Sequence, residues 1–198
     1  MQKFKITIIL ILISSMSVFA QIKMDISANY NLPSSTSFNG KFQNGYGGTA
    51  ELFYFLNDSS LSISFIGGIN IFRATKEYEQ ELEDSNPTLF EYDYRIDYYT
   101  FPVLLGANYT LFREKKINLR LGLGAGVQFM ELKKKLIGKY VSDTHQEYFN
   151  EFAIYPNIGI SYEISEAIDI SLKGGYNQTF GELSLSYLNF GLGLQYEI

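Results

Sequence analysis

The sequence predicts a transmembrane β-barrel of eight antiparallel strands arranged up and down. Three observations carry this prediction: a strict period of two over residues 117–129, connections that alternate between long and short, and a mean hydropathy of −0.04. In 117–129 every odd position is apolar and every even position is glycine or polar. A strand with one face toward lipid and the other toward a narrow lumen has this pattern. Alternating polarity also explains the mean hydropathy, because the two faces cancel in the average.

The chain begins with a predicted secretory signal peptide at residues 1–20, which leaves one barrel domain at 21–198. Lys3 and Lys5 form a basic start, residues 6–13 are apolar, and Ala20 closes a small-residue cleavage site. An uncleaved anchor helix is the alternative, but residues 6–20 are interrupted by serines and are shorter than the roughly 20 residues of a membrane-spanning helix. The chain contains no cysteine, so the leader alone indicates the compartment.

The same period predicts the other strands. The eight predicted strands are residues 24–32, 45–56, 61–73, 98–111, 117–134, 149–164, 167–177 and 183–198. The facing of the second strand is ambiguous because residues 52–56 are continuously apolar. Pro102 lies inside the fourth strand, where its missing N–H predicts a bulge or an irregularity.

The connections predict the orientation in the membrane. The long connections, 33–43, 74–97, 133–147 and 178–182, are expected outside the cell, and the short turns and both termini in the periplasm. Aromatic residues are expected in two belts, one at each interface. The inner belt is Tyr54, Tyr109, Phe112, Tyr162 and Tyr196; the outer belt is Tyr30, Tyr46, Phe72, Tyr98, Tyr99, Phe101, Phe129, Phe152, Tyr176, Tyr187 and Phe190.

A soluble β-sandwich or a lipocalin-like barrel is the competing fold. Such a protein would turn the apolar faces inward and would need bulky side chains to fill its interior. The polar faces here repeat glycine, at 122, 124 and 126 and again at 191 and 193. A glycine-rich exterior suits a soluble barrel poorly, and the sequence therefore favours the membrane.

The order of elements resembles the outer-membrane β-barrel domain family common in Bacteroidetes, the PorT-like or porin-family small barrels. The residues that carry the resemblance are YTFPVLLG at 99–106, LGLGAG at 121–126, YPNIGI at 155–160 and the closing strand 190–198. The resemblance covers the whole mature chain and implies an outer-membrane location. It also implies biogenesis through the barrel-assembly machinery and a place in a secretion apparatus.

Charged residues on the predicted inner faces are the first candidate site. They are Asp25, Arg120, Glu163, Asp169, Lys173 and Glu197. A charge in a narrow lumen needs a partner, so Arg120 and Lys173 are expected to pair with these carboxylates. A charged constriction that selects ions is one interpretation, and a structural salt-bridge network that fills the lumen is the favoured one.

The acidic connection 74–97 is the second candidate site. Its carboxylates are Glu77, Glu79, Glu81, Glu83, Asp84, Glu91 and Asp93. They could bind divalent cations that bridge to lipopolysaccharide, although the spacing is not that of a calcium loop, and a solvated surface loop is favoured.

The single histidine, His145, lies in a predicted loop with Ser142, Asp143 and Glu147. Nothing orients these side chains on a rigid strand, so the chain is not expected to be an enzyme. No cofactor and no metal site are predicted, and the acidic balance without a basic, aromatic cluster argues against nucleic acid.

The predicted function is therefore a structural or surface-interaction role through the external loops. A narrow pore for ions or small solutes is the alternative, and a lipid-modifying enzyme is a distant third. The expected partners are outer-membrane lipid, lipopolysaccharide, the barrel-assembly machinery, and envelope or secretion proteins.

Overall fold

The computed structural model describes residues 21–35, 38–56, 59–84, 92–112, 116–138 and 142–198. The predicted signal peptide, residues 1–20, lies outside the described residues, and so does Glu91.

Eight antiparallel strands form a closed barrel in which every strand pairs with its neighbours in the sequence and β1 pairs with β8. The predicted up-and-down barrel is thereby confirmed. Closure leaves no unpaired sheet edge along the wall, which is what a sheet in lipid requires. The strands are β1 (Ile22–Pro33), β2 (Gly45–Phe55), β3 (Leu61–Arg73), β4 (Tyr92–Leu111), β5 (Ile117–Gly138), β6 (Ser142–Ser165), β7 (Ile168–Phe180) and β8 (Ser186–Glu197).

The two ends of the barrel differ. One end carries the first and last described residues, Gln21 and Ile198, and the short connections between β2 and β3, β4 and β5, and β6 and β7; we call it the turn end. The other carries the longer connections and is called the loop end. Along the strands, large apolar side chains are exposed on the outer wall, while Asn, Ser, Thr and charged residues are buried inside.

The connection 133–147 is not the loop that the sequence predicts. β5 continues to Gly138 and β6 begins at Ser142, and the two remain paired from Ile137↔Ser142 downward. β4 also starts early, at Tyr92, and pairs with β5 up to Gly138. These strand segments form a three-stranded sheet beyond the barrel, comprising residues 92–97, 133–138 and 142–147, which we call the projecting sheet. The sequence hides it because the apolar outward positions of β5 end at Phe129 and are followed by Glu131, Lys133 and Lys135.

The connection from β3 to β4 also differs from a simple loop, since it contains the helix α1 (Lys76–Asp84). Thr75 begins this helix as its N-cap, with its hydroxyl accepting the N–H of Tyr78. No helix among the described residues has both the length and the apolar character needed to span a membrane.

Pro102 interrupts one ladder without changing the register. β3 and β4 pair from Leu61↔Tyr109 to Gly67↔Val103 and resume at Asn70↔Thr100 with the same offset. On the other side, Pro102 pairs with Gln128 in an unbroken run. The expected irregularity is therefore a local gap in hydrogen bonding and not a bulge.

Three aromatic residues predicted for the outer belt instead lie inside. Phe72, Tyr98 and Tyr187 are each at most 2% exposed and pack together at the loop end of the lumen. They occupy inward positions of their strands, which alternation along β3, β4 and β8 requires. Large aromatics here fill the barrel instead of facing lipid.

Candidate functional site in the barrel interior

A buried charge cluster crosses the lumen between β7, β1 and β2. Lys173 Nζ lies 2.7 Å from Asp25 Oδ1 and 2.9 Å from Glu51 Oε2. The Ser171 hydroxyl donates to the other oxygen of Asp25 at 2.7 Å. All three charged side chains are at most 7% exposed, so the lysine has little access to water and is held by the two carboxylates.

A second ion-pair group lies closer to the turn end. Lys23 Nζ is 3.4 Å from Asp169 Oδ2 and 3.3 Å from Glu197 Oε2. The Lys23 and Glu197 side chains are partly exposed, which weakens each interaction through solvent screening.

Arg120 lies inside the barrel in a different environment. Its guanidinium carbon is 4.0 Å from the centroid of the Phe53 ring, a cation–π geometry. No carboxylate of the described residues lies within ion-pair distance of Arg120. Its cross-strand partners on β4 and β6 are Thr110 and Gly159, and neither of them carries a charge.

The sequence-predicted charges are thus divided among several environments. Asp25 and Lys173 come together with Glu51, while Asp169 and Glu197 come together with Lys23; Glu163 is exposed and forms no ion pair with the described residues. Glu51 was missed because the facing of its strand was ambiguous. The alternation Gly47, Thr49, Glu51 on the inward face could have identified it.

A cavity of about 750 Å³ lies at the turn end, and we call it the vestibule. Its lining comprises Gln21, Lys23, Phe55, Ser60, Thr110, Phe112, Asn118, Arg120, Ser161, Glu163, Glu166, Asp169, Gln195 and Glu197. Phe53, which is fully buried, lies next to Arg120 at its inner limit.

Uncharged polar residues form a hydrogen-bonded layer nearer the loop end. Asn31 donates to Asn70 at 2.9 Å, and Asn70 donates to the Tyr187 hydroxyl at 3.2 Å. Asn189 donates to Asn31 at 2.7 Å and accepts from the Tyr155 hydroxyl at 3.0 Å. This layer joins residues of several strands, so it fills the lumen with satisfied polar groups.

An aromatic cluster closes the lumen at the loop end. It consists of Phe38, Phe72, Tyr98, Met130, Leu185 and Tyr187, with Phe42, Leu132, Phe149 and Leu183 packed against it. We call it the aromatic cap. The connection between β7 and β8 is fastened over it by Glu151, whose carboxylate accepts the Leu183 N–H at 2.6 Å and the Thr179 hydroxyl at 2.5 Å.

The projecting sheet has one covered edge and one bare edge. On β4, the Ile96 N–H donates to Glu79 of α1 at 3.1 Å and the Ile96 carbonyl accepts the Ala74 N–H at 2.9 Å. On β6, pairing with β7 begins only at Phe152↔Phe180. The β6 edge of the projecting sheet, together with its continuation from residue 148 to residue 150, therefore faces no other strand in the described part of the chain.

The acidic residues predicted for a loop lie mostly on α1. Glu77, Glu79, Glu81, Glu83 and Asp84 belong to the helix, and Asp93 belongs to β4 with a side chain outside the described residues. Within the described ranges, no group of three or more His, Cys, Asp or Glu residues could hold a metal ion. A divalent-cation site at this connection stays a prediction.

His145 lies on β6 in the projecting sheet and not in a loop. Its Nε2 is 3.6 Å from Glu147, which also accepts a 2.7 Å bond from Lys134. The Asp143 carboxylate accepts a hydrogen bond from the Thr144 N–H, and the Ser142 side chain lies outside the described residues. That the chain is not an enzyme also stays a prediction.

The model of the outer membrane protein beta-barrel domain family matches residues 6–197. No curated protein sequence matches the chain.

Several solved structures share the fold. Neisserial surface protein A is 12% identical, over 90% of this chain and 99% of that one, with a TM-score of 0.53. The attachment invasion locus protein Ail of Yersinia pestis, in complex with the heparin analogue sucrose octasulfate, is 13% identical over 91% and 100%, with a TM-score of 0.55. A major outer membrane protein of Thermus thermophilus is 9% identical over 89% and 99%, with a TM-score of 0.59. At these identities the similarity shows the fold alone.

Proposed function

The chain belongs to the outer membrane protein beta-barrel domain family, and from this premise we propose that it is a closed outer-membrane barrel that binds a partner protein at the projecting sheet. The observation that carries the proposal is the bare edge of β6 above an aromatic cap. The cap supports a barrel that anchors the protein without conducting solutes, and the edge supports a role at the loop end. In this proposal the loop end is extracellular and both termini are periplasmic, as the loop asymmetry of outer-membrane barrels implies.

The bare edge has the hydrogen-bonding groups that strand addition needs. The Glu163 N–H donates to Lys116 on the β5 side, so by alternation the N–H groups of Gln146, Tyr148 and Asn150 point away from β5. An extended segment of a partner can pair with such an edge through its main chain. α1 blocks the opposite edge at Ile96, which leaves the β6 edge as the docking side.

The outer face of the projecting sheet supports contact with anionic headgroups. Arg95, Lys133 and Lys135 lie on this face; Arg95 is paired with Asp97, and Lys135 is exposed. Basic residues near a membrane surface attract anionic lipid. The proposed lipid partners therefore include lipopolysaccharide. The PorT-like affinity and the place in a secretion apparatus are further proposals that rest on sequence resemblance.

Photo-crosslinking in native outer membranes tests the docking edge. A photoreactive residue at Tyr148 should give a protein adduct, while the same residue at Tyr109, on the outer wall near the turn end, should not. Gln146→Pro removes an edge N–H without touching the β5 ladder and should abolish the adduct, whereas Gln146→Ala should retain it. No protein adduct at Tyr148, or an adduct insensitive to Gln146→Pro, would refute the docking edge.

Planar-bilayer recording distinguishes a closed lumen from a pore. A pore is the second candidate function because the vestibule opens the turn end of the interior. Residues 21–198 should give a silent membrane, with folded insertion verified by heat-dependent gel migration. Discrete current steps whose ion selectivity changes in Lys173→Met would establish a pore instead.

A further inference from the structure

Arg120 is an interior cation that lacks a carboxylate partner among the described residues. Its side chain is 6% exposed, and its Nε has no hydrogen-bond partner in that part of the chain. Lys173 and Lys23, in contrast, each contact two carboxylates. A buried guanidinium is costly unless its N–H groups are satisfied. The ring of Phe53 covers one face of Arg120 but offers no acceptor for an N–H in its plane.

Other unsatisfied polar atoms lie on the neighbouring strands β4 and β3. The Thr110 hydroxyl, the Ser62 hydroxyl and the Asn108 amide oxygen are buried without a partner in the described part of the chain. Thr110 on β4 is the direct cross-strand partner of Arg120 on β5. Asn108, also on β4, is the direct cross-strand partner of Ser62 on β3. Buried polar groups are nearly always hydrogen-bonded, so these atoms need polar partners that the described residues do not supply.

The space beside Arg120 is open to a small molecule. Arg120 and Thr110 both line the vestibule, together with the neutral polar residues Asn118 and Ser161. On β6, Gly159 faces the guanidinium, and a Cβ there would lie only 3.2 Å from Nη2. Glycine at this position therefore leaves room for the arginine head.

We propose that the vestibule binds the carboxylate of a small zwitterionic molecule, of the size of an amino acid, with Arg120 as the anchor. The guanidinium presents its N–H groups in the fork that matches a carboxylate. The Thr110 hydroxyl donates a further hydrogen bond to the same group. The ligand enters from the turn end, since the aromatic cap closes the other end.

The charged residues that line the vestibule decide which anions it binds. Carboxylates outnumber cations four to two among the lining residues: Glu163, Glu166, Asp169 and Glu197 against Lys23 and Arg120. Such a lining repels phosphates and other multiply charged anions. It attracts an ammonium group, and Glu163, which is exposed and has no ion-pair partner within the described residues, adds to this field from four residues beyond Gly159 on β6. A molecule that carries an ammonium group beside its carboxylate therefore fits this cavity better than a simple anion does.

The arginine side-chain resonances report binding directly. In nanodiscs, the ¹⁵Nε–Hε signal of Arg120, assigned by its loss in Arg120→Lys, should shift saturably with glycine, at a Kd of about 1 mM for so small a ligand. Thr110→Val should weaken glycine binding about tenfold, the effect of losing one hydrogen bond to a charged group. Arg73 is a control within the same spectrum, because it lies at the loop end and pairs with Asp97.

Three results would overturn the proposal. The first is the absence of a saturable shift with glycine in folded protein, and the second is an equal shift with sodium chloride at the same ionic strength. The third is tighter binding of inorganic phosphate than of glycine. If Arg120→Lys does not fold, Thr110→Val and Glu163→Gln carry the test. Glu163→Gln should weaken glycine binding and leave acetate binding unchanged, and weakened binding of both would refute the role of Glu163 in attracting the ammonium group.

Discussion

Replacing Lys173 by methionine should destabilise the barrel far more than the same change at Lys23. Methionine keeps the length and apolar stem of lysine but removes the charge. At position 173 it leaves Asp25 and Glu51 facing each other, 0% and 4% exposed, without their cation. Breaking a buried ion pair by removing one partner costs about 3–5 kcal/mol. Lys23 also contacts two carboxylates, but Lys23 and Glu197 are 21% and 33% exposed and only Asp169 is buried, at 7%. Water can replace part of the lost interaction there, so the change costs about 1 kcal/mol.

Urea unfolding in lipid vesicles measures the difference, with folded protein quantified by heat-dependent gel migration. With an m-value of about 2 kcal/mol/M, Lys173→Met should lower the unfolding midpoint by about 2 M and Lys23→Met by about 0.5 M or less. Adding Asp25→Asn and Glu51→Gln to Lys173→Met should recover most of the loss, because the uncompensated charges are then gone. Equal midpoints for the two lysine variants would refute this reasoning, and so would a triple variant less stable than Lys173→Met.

Three further predictions concern other layers of the barrel. Tyr187→Phe removes a hydroxyl that accepts from Asn70 and donates to Gln128; it should cost about 1–3 kcal/mol in the same assay, and an unchanged midpoint would contradict the hydrogen-bonded layer. Leu105→Lys places a charge on the outer wall, where Leu105 is 66% exposed; it should cost about 2–4 kcal/mol in lipid relative to Leu105→Met, and equal stability would contradict a lipid-facing wall. Glu151→Ala should speed proteolysis of the β7–β8 connection because the Leu183 N–H loses its acceptor, whereas Glu147→Ala on the projecting sheet should leave that cleavage rate unchanged.

The barrel was predictable because alternation in lipid is a strong constraint. β5, β7 and β8 each carry an apolar outer face that must stay in lipid, so the inward positions of Arg120, Lys173 and Glu197 follow from parity alone. Parity does not assign the faces of β2, because its inward face also carries apolar residues, Phe53 and Phe55, toward the turn end. Aromatic side chains inside the lumen look like lipid-facing ones in a sequence, and the position of Glu51 was lost with them.

The sequence predicted that Lys173 pairs with lumen carboxylates, and it does, but the sequence could not show which ones. Lys173 lies on β7 and its partners lie on β1 and β2, so the contact depends on how the strands tilt around the barrel. Parity places a side chain in the lumen but does not set its height relative to strands across the barrel. For the same reason, Arg120 pairs with none of the predicted lumen carboxylates within the described residues: its neighbours across β4 and β6 are Thr110 and Gly159.

The two proposed binding sites lie at opposite ends of the barrel, with a packed interior between them. Solutes from the turn end reach Arg120 and Phe53, beyond which the charge cluster, the hydrogen-bonded layer and the aromatic cap fill the lumen. The proposed partner at the loop end would contact only the exterior of the projecting sheet. Variants should therefore act independently: Thr110→Val should weaken glycine binding and leave crosslinking at Tyr148 intact, and Gln146→Pro should do the reverse. A change in both readouts from either substitution would mean that the two ends are coupled through the barrel, which an interior packed in this way does not predict.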